Sequence, residues 1–425
     1  MYAKRNTQHA IRSTQYAVRN TPYATTDQIT TVEDAHTSGA YPKRPIALVR
    51  GHGARVWDAD GREYIDCIAG HGVASLGHCH PAVTAAIQQQ AELLVTCSEI
   101  LYNDQRAGLM AELTARVPGD LNRAFLCNSG AEAVEGAVKV ARLFTDRSGV
   151  VATMRGFHGR TFGALSATWN EKYRKPFVPL VPGFGHVPFN DLEAMEEAIT
   201  DETAAVLVEV VQGEGGVRPG DADYFHGLRK LCDERGALLI VDEIQTGLGR
   251  TGRWFAFEHV GITPDVLCLG KALGGGLPMG AVVWRETLGT LPTGVHGSTF
   301  GGNPLVCAAS RAALRALADE DLPARADRLG QEFVTGLRAI QSPLVREVRG
   351  WGLMVGVELR QRVTPILKGL MERGVLALPA GPTVVRFLPP LVIEQSELRV
   401  VLETLQDVLK TQTQPVTAQP TTHEG

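Results

Sequence analysis

The segment from Gly236 to Gly276, GALLIVDEIQTGLGRTGRWFAFEHVGITPDVLCLGKALGGG, contains two short apolar runs, each leading to an ionisable residue. ALLIV is followed by Asp242, and DVLCL is followed, after Gly270, by Lys271. Strand C-termini in an open α/β sheet point into the crevice where ligands bind, so an acid and an amine are expected to face one site. A cofactor that needs both groups is the natural occupant of such a site.

Between the two runs, Gly247 to Gly252 matches G-x-G-x-x-G after a strand, as in dinucleotide-binding folds. The residues that follow, RWFAFEHVGITP, carry no long helical pattern, and the motif lies in mid-chain, so a connecting loop is expected instead. Lys271 is not a P-loop lysine either, because Asp265 and Ala272 stand where that motif needs glycine and a hydroxyl residue.

The whole chain has 425 residues, 44% hydrophobic and 21% charged, which suits a globular protein with a large core and room for a second domain. A net charge of −4 carries no electrostatic signature of nucleic-acid binding, and no apolar run approaches the roughly 20 residues of a membrane span. Seven scattered cysteines, several inside apolar runs, read as the reduced thiols of a cytoplasmic protein.

The N-terminus carries a degenerate seven-residue repeat, TQHAIRS, TQYAVRN and TPYATTD, with no acidic residue before Asp27. Such a leader suits a transit peptide as well as a disordered extension, and residues 1–38 are expected to be disordered. Residues 39–80 are assigned to a segment joining a small domain, 81–321 to a large domain, 322–410 to a C-terminal α+β domain, and 411–425 to a disordered tail. His71, His78, Cys79 and His80 are possible metal ligands, but no second cluster completes a tetrahedral site, so no metal is expected.

Ala124 to Val140, AFLCNSGAEAVEGAVKV, reads as a strand, a turn of small residues and a helix. Ser129-x-x-Glu132 has capping-box spacing, and the same turn offers unpaired N–H groups to an anion. Two later strand-like runs leave Phe157, His158 and Arg160 in one glycine-rich loop and Glu209, Gln212 and Glu214 in another. Pyridoxal phosphate would use all of these features: a lysine to bind it covalently, an acid to keep its ring nitrogen protonated, and a cradle for its phosphate. Gly270 and Ala272-Leu-Gly-Gly-Gly beside Lys271 suit a tight, partly desolvated amine with a lowered pKa.

In this order the motifs resemble the class III (ornithine-type) aminotransferases, pyridoxal-phosphate enzymes of fold type I. The likeness covers roughly residues 40–410 through LGHCHP, CNSGAEA, RGFHGRT, VQGEGGV, HGSTFGGNPL and RGWGLMVGVEL. The resemblance implies an α/β fold: a large domain on a mainly parallel sheet, with a smaller α+β domain. RGFHGRTFGALSATWNEKYRKPFVPL and AGPTVVRFLPPLVIE are most similar to the branch acting on substrates held by a LysW-type carrier protein, with acetylornithine aminotransferases next.

Carried onto matching positions, the resemblance implies that Lys271 binds the cofactor and moves a proton, with Asp242 on the ring nitrogen. Glu243, Ile244 and Gln245 belong to the same cofactor loop, Gln245 near the ring hydroxyl, and Phe157 stacks on the ring. Ser129, Gly130 and Ala131 form the phosphate cradle, joined by Thr299 from a neighbouring subunit, which implies a homodimer. Ser298 lies near the substrate, Arg386 takes the α-carboxylate of glutamate, Arg160 takes the distal carboxylate, and Glu214 masks Arg386 when an ω-amine enters. Ala131 replaces a common threonine, His71 replaces a common tyrosine, and the N-terminal repeat has no counterpart.

The implied reaction is a two-step exchange in lysine or arginine biosynthesis. Glutamate leaves as 2-oxoglutarate, and its nitrogen passes to a carrier-bound aminoadipate or glutamate semialdehyde, or else the enzyme works on free N-acetylornithine. An acidic carrier needs positive charge at the site mouth, for which Lys172, Arg174 and Lys175 are candidates. A nicotinamide-dependent oxidoreductase and a non-enzymatic cofactor-binding regulator are the rival classes.

Overall fold

The computed structural model describes residues 24–413, so most of the threonine-led repeat and residues 414–425 lie outside the described residues. In chain order the strands of the first half are β1 (Leu48–His52), β2 (Arg55–Asp58), β3 (Glu63–Asp66), β4 (Leu121–Cys127), β5 (Gly149–Thr153), β6 (Phe184–Val187) and β7 (Thr203–Val208). They are followed by β8 (Val211–Gln212), β9 (Arg218–Pro219), β10 (Leu238–Asp242), β11 (Val266–Leu269) and β12 (Gly280–Arg285). The last are β13 (Val345–Trp351), β14 (Met354–Leu359), β15 (Val375–Leu376), β16 (Leu378–Pro379) and β17 (Val384–Phe387).

Seven strands form the central sheet in the order β4-β12-β11-β10-β7-β5-β6, and only β12 runs against its neighbours. Every residue of β7 and of β11 is buried, as expected for parallel strands covered on both faces. The helix Gly130–Thr145 lies on one face through Ala133, Val134, Ala137, Val138 and Ala141, a stripe at helical spacing. Its glycines and alanines let the helix axis approach β11 and β12 closely.

The sheet delivers the two residues that the opening segment singled out. Strands β10 and β11 are parallel neighbours, with Asp242 opposite Cys268 at their C-terminal ends. Lys271 opens a short 3-10 turn, Lys271–Gly274, just beyond β11. A Cβ on Gly270 would stand 3.3 Å from the Gly130 backbone, so its missing side chain lets the amine-bearing turn pass close to the helix start.

Besides the two-stranded antiparallel pair β8-β9, two smaller sheets of four strands lie outside the central one. In one, β3 pairs in parallel with β15, so the N-terminal strands share a sheet with a C-terminal one. The β2–β3 hairpin turns where its sequence suggests: Asp58 Oδ1 accepts from the N–H groups of Asp60 (3.1 Å) and Arg62 (2.8 Å), and Gly61 takes φ 86°. The other sheet, ordered β13-β14-β17-β16, carries Arg386 on β17 opposite Gly356.

Two expectations for the ends are corrected. Thr26–His36, inside the segment expected to be disordered, is an α-helix. Its stability is local: Thr25 caps the Gln28 N–H, Gln28 returns a bond to the Ala24 N–H, and Lys43 pairs with Glu33 and Asp34. At the other end, the final helix Gln395–Thr413 runs three residues into the expected tail. No helix of the described residues is long and apolar enough to cross a membrane.

The glycine-rich run Gly247 to Gly252 forms turns, with Gly249 at φ 90° and Gly252 at φ 94°. It seats Arg250, which is 1% exposed, against the C-terminal region. The guanidinium donates to the carbonyls of Leu353 (3.0 Å) and Pro389 (2.5 Å) and to Ser75 Oγ (3.3 Å), while the Arg250 carbonyl accepts the Leu353 N–H at 3.0 Å. Replacing Arg250 with methionine strips these acceptors of their donor. Equilibrium denaturation of Arg250→Met should show a loss of about 2–4 kcal/mol.

Candidate functional site

The site is built where the helix Gly130–Thr145 starts. Ser129 Oγ accepts the Glu132 N–H at 3.2 Å, and Glu132 Oε2 reaches back to the Asn128 N–H at 2.8 Å. The capping box is therefore shifted by one residue. Helix geometry leaves the first-turn N–H groups of Gly130 and Ala131 without intrahelical partners, and both residues line a cavity of about 280 Å³. A Cβ on Gly130 would meet the Ile244 side chain at 2.8 Å, so only glycine leaves this cradle open.

Opposite the cradle stands Asp242, 4% exposed. One carboxylate oxygen accepts the Ile244 N–H at 3.0 Å, and the other is 2.8 Å from Nδ1 of buried His158. Each oxygen keeps a further lone pair. Burial works against a charged His158, but the hydrogen bond with Asp242 and the negative charges of Asp242 and Glu209 together outweigh it and hold its pKa above the ordinary histidine value. Glu209 is buried beside them, and its oxygens accept the N–H groups of Phe157 and Gly213, both at 3.0 Å. Burial and then repulsion from Asp242 raise its pKa, opposed by His158 and these N–H groups.

Half-buried Lys271 also lines the cavity. Burial lowers the pKa of its amine, Asp242 opposes the shift, and Arg386 reinforces it. The backbone of Lys271 is left-handed at φ 42°, which places the amine on a tight turn instead of continuing the strand. Arg160 is exposed, with its guanidinium 3.5 Å above the Tyr173 ring and 5.5 Å from Phe157. Arg386 lies behind the cavity, 1% exposed, paired with Glu214 at 2.6 Å and donating to Gln245 Oε1 at 3.1 Å.

The fold thus brings Gly130, Ala131, Phe157, Arg160, Glu214, Asp242, Ile244, Gln245 and Lys271 around one cavity, with Arg386 one contact away. Ser129 acts as the helix cap and is not among the lining residues. Glu243 turns away: it accepts the Thr246 hydroxyl and the Phe257 N–H, the latter at 2.9 Å. Ser298 and Thr299 line a separate opening with Thr96, Cys97 and Ser98. His71 takes φ 64° and does not line the cavity. His78 pairs with Asp66 and His80 with Glu320, and the described residues hold no group of three or more side chains placed for a metal.

Sequence reasoning noted His158 and Glu209 in their loops but gave neither a place in the site. A usable signal was present, since His158 lies between Gly156 and Gly159, and Glu209 directly follows a wholly buried strand.

A cofactor ring carrying an anion and a basic nitrogen fits between the helix N-terminus and Asp242, with the Lys271 amine in reach of the same space. This arrangement on this sheet defines a pyridoxal-phosphate-dependent enzyme of fold type I. The chain belongs to the aminotransferase class-III family, whose model matches residues 37–409, and it is an aminotransferase. It is 50% identical over 380 residues to an acetylornithine aminotransferase of Methanopyrus kandleri, covering 89% of this chain and 97% of that one. It is 49% identical over 381 residues to a LysW-aminoadipate semialdehyde transaminase of Deinococcus radiodurans, covering 89% of both. Its fold matches the ornithine aminotransferase of Toxoplasma gondii with a TM-score of 0.87 at 37% identity, covering 96% of this chain and 98% of that one. The acetylornithine aminotransferase of Elizabethkingia anophelis matches with a TM-score of 0.82 at 32% identity, covering 92% and 100%.

Glu243 offers a test of the packing beneath the site. Burial raises its pKa from the ordinary 4.5 to about 7, partly offset by its hydrogen bonds. A raised carboxyl pKa means that the folded state holds the proton more tightly, so its contribution to stability is greatest below pH 4.5 and is lost as pH rises to about 7. Glu243→Gln should remove a slope of up to about 1.4 kcal/mol per pH unit across that window, read by denaturation at successive pH values.

Proposed function

We propose that this aminotransferase moves the amino group of glutamate to an ω-semialdehyde held on a LysW-type carrier protein, namely aminoadipate semialdehyde and also glutamate semialdehyde, in lysine or arginine biosynthesis. The observation that carries the ω-amino reading is the 2.6 Å pair between Arg386 and Glu214. A buried arginine suits the α-carboxylate of glutamate, and an adjacent carboxylate that covers it suits a second substrate whose α-carboxylate lies far from the reacting carbon. Preference for a carrier-held substrate is supported by the relative named for that reaction. It is supported also by a further cavity of about 540 Å³, which adjoins the Lys271 cavity at Phe157 and Glu214. The second reading, free N-acetylornithine, is favoured by the relative at 50% identity.

Pyridoxal phosphate, when bound, supplies the electron sink and carries the nitrogen between the two substrates. The first-turn N–H groups at Gly130 and Ala131 would hold its phosphate, and Phe157 would cover its ring. Asp242 would keep a proton on the ring nitrogen, its carboxylate oriented by the Ile244 N–H and by His158. Lys271 would attach the cofactor and, once displaced by substrate, use its neutral amine to move the proton at the substrate carbon, which its lowered pKa favours. Gln245 would reach the ring hydroxyl, and Arg160 would receive the distal carboxylate.

A homodimer is part of this proposal. Ile100, Leu101, Tyr102 and Phe300 are exposed at 89%, 62%, 107% and 63%, and they flank in sequence the opening lined by Ser98, Ser298 and Thr299. Apolar exposure on this scale suits burial by a second copy, which would bring Thr299 to the partner's phosphate cradle and Ser298 toward its substrate.

Two substitutions test the reading. Lys271→Ala should lower turnover more than about a thousandfold and abolish the visible absorption of protein-linked cofactor, whereas retained turnover would overturn the assignment. Glu214→Gln leaves Arg386 uncovered. Its kcat/KM for glutamate should rise severalfold while that for the ω-amine falls about tenfold; parallel changes would reduce Glu214 to a structural partner.

A further inference from the structure

Arg155 and Arg218 stand at the meeting of two cavities. The cavity of about 540 Å³ that adjoins the Lys271 site is lined by both arginines, and so is a third of about 500 Å³ farther on. Cavities therefore adjoin in series from the amine outward, with the two guanidinium groups at the second junction.

These arginines carry uncompensated charge. Arg155 is exposed, holds a left-handed backbone at φ 67°, and makes no hydrogen bond or ion pair among the described residues. Arg218 reaches Glu358 at 3.1 Å, but Glu358 also takes Arg349 at 2.6 Å and Arg346 at 3.4 Å. Arg349 has Glu347 as its other carboxylate, at 2.5 Å. Three guanidinium groups thus share two carboxylates, Arg155 beside them pairs with neither, and the Nε of Arg218 is buried without a partner. Of the other acids lining the adjoining cavity, Glu214 is committed to Arg386 and Glu171 is exposed to solvent. Burial, then Arg349 and Arg155, lower the pKa of Arg218, the effect of cations crowded without enough counter-charge.

We propose that Arg155 and Arg218 form a carboxylate-binding subsite for an acidic peptide segment attached to the amino acceptor. The proposal rests on the carrier-held reading above and deepens it. A free N-acylated amino acid whose distal carboxylate meets Arg160 ends inside the Lys271 cavity, because Arg160 lines that cavity and not the next. A group that reaches Arg155 must extend through the adjoining space, which a peptide tether does and a small acyl cap does not. Lys172 and Lys175, exposed beside the Asn170–Tyr173 wall, extend positive charge outward along the same path.

The test compares two donors bearing the same ω-amine, one N-capped by a short acidic peptide and one by acetyl, with the glutamate half-reaction as a third measurement. The variants are Arg155→Asn, chosen because asparagine tolerates left-handed backbone, and Arg218→Gln. Each should lower kcat/KM for the peptide-capped donor about tenfold and leave the acetyl-capped donor and the glutamate half-reaction unchanged. Equal losses with both caps, or no loss with the peptide cap, would overturn the subsite while leaving the carrier reading intact. A wild-type enzyme that uses only the acetyl-capped donor would overturn the carrier reading and the subsite with it. Should a variant fail to fold, the wild type still decides the matter. An acidic peptide without the amine should inhibit turnover of the peptide-capped donor, more weakly at high salt, and spare the acetyl-capped one; inhibition of both or of neither counts against the subsite.

Discussion

The parallel pairing of Leu238–Asp242 with Val266–Leu269 is the constraint on which the site depends. Register places Asp242 against Cys268, so the chain leaving β11 emerges beside the carboxylate. With every residue of β11 buried, neither strand can slip without exposing apolar surface and unpairing backbone groups. Acid and amine are thereby held across one cavity by main-chain geometry, ahead of any side-chain contact.

Around that pair, charge is arranged in a sequence of buried groups. Glu209, His158 and Asp242 lie together with N–H donors from Phe157, Gly213 and Ile244, so the loops that shape the cavity and the carboxylate at its floor are tied into one network. Lys271 shares this environment: burial depresses its pKa, and Asp242 restrains the shift. In a low-dielectric pocket such couplings are strong, so a change at His158, which touches Asp242, or at Glu209 will be felt at both the acid and the amine.

The smaller sheets bring the substrate-facing charge. Arg386 comes from β17, Glu214 from the loop between β8 and β9, and Gln245 from the segment after β10, and the three meet behind the cavity. Arg250 holds the Gly247 to Gly252 loop against Leu353 and Pro389, close in sequence to β14 and β17. The run that resembles a nucleotide motif thus ties the segment after β10 to the chain beside β14 and beside β17, the strand that carries Arg386.

Much of this was legible in the residues. The two apolar runs with their terminal acid and amine, the small-residue helix start at Gly130, the Asp58 to Gly61 hairpin and the loop nature of Gly247 to Gly252 each follow from local pattern, because strand burial, capping and turn chemistry act over a few residues. The helix Thr26–His36 was missed because its support comes from caps and ion pairs, with no buried face to leave an apolar stripe. His158 and Asp242 are 84 positions apart, and Glu214 and Arg386 farther still, so no local pattern could announce that they touch. The sequence by itself determined the chemistry, since residue type at the ends of buried strands decides whether an acid and an amine can share a cofactor. Only the tertiary structure decided which partners tune them, that Glu243 turns away, and that Arg155 and Arg218 stand together beyond the site, because burial and charge balance arise only when distant segments pack.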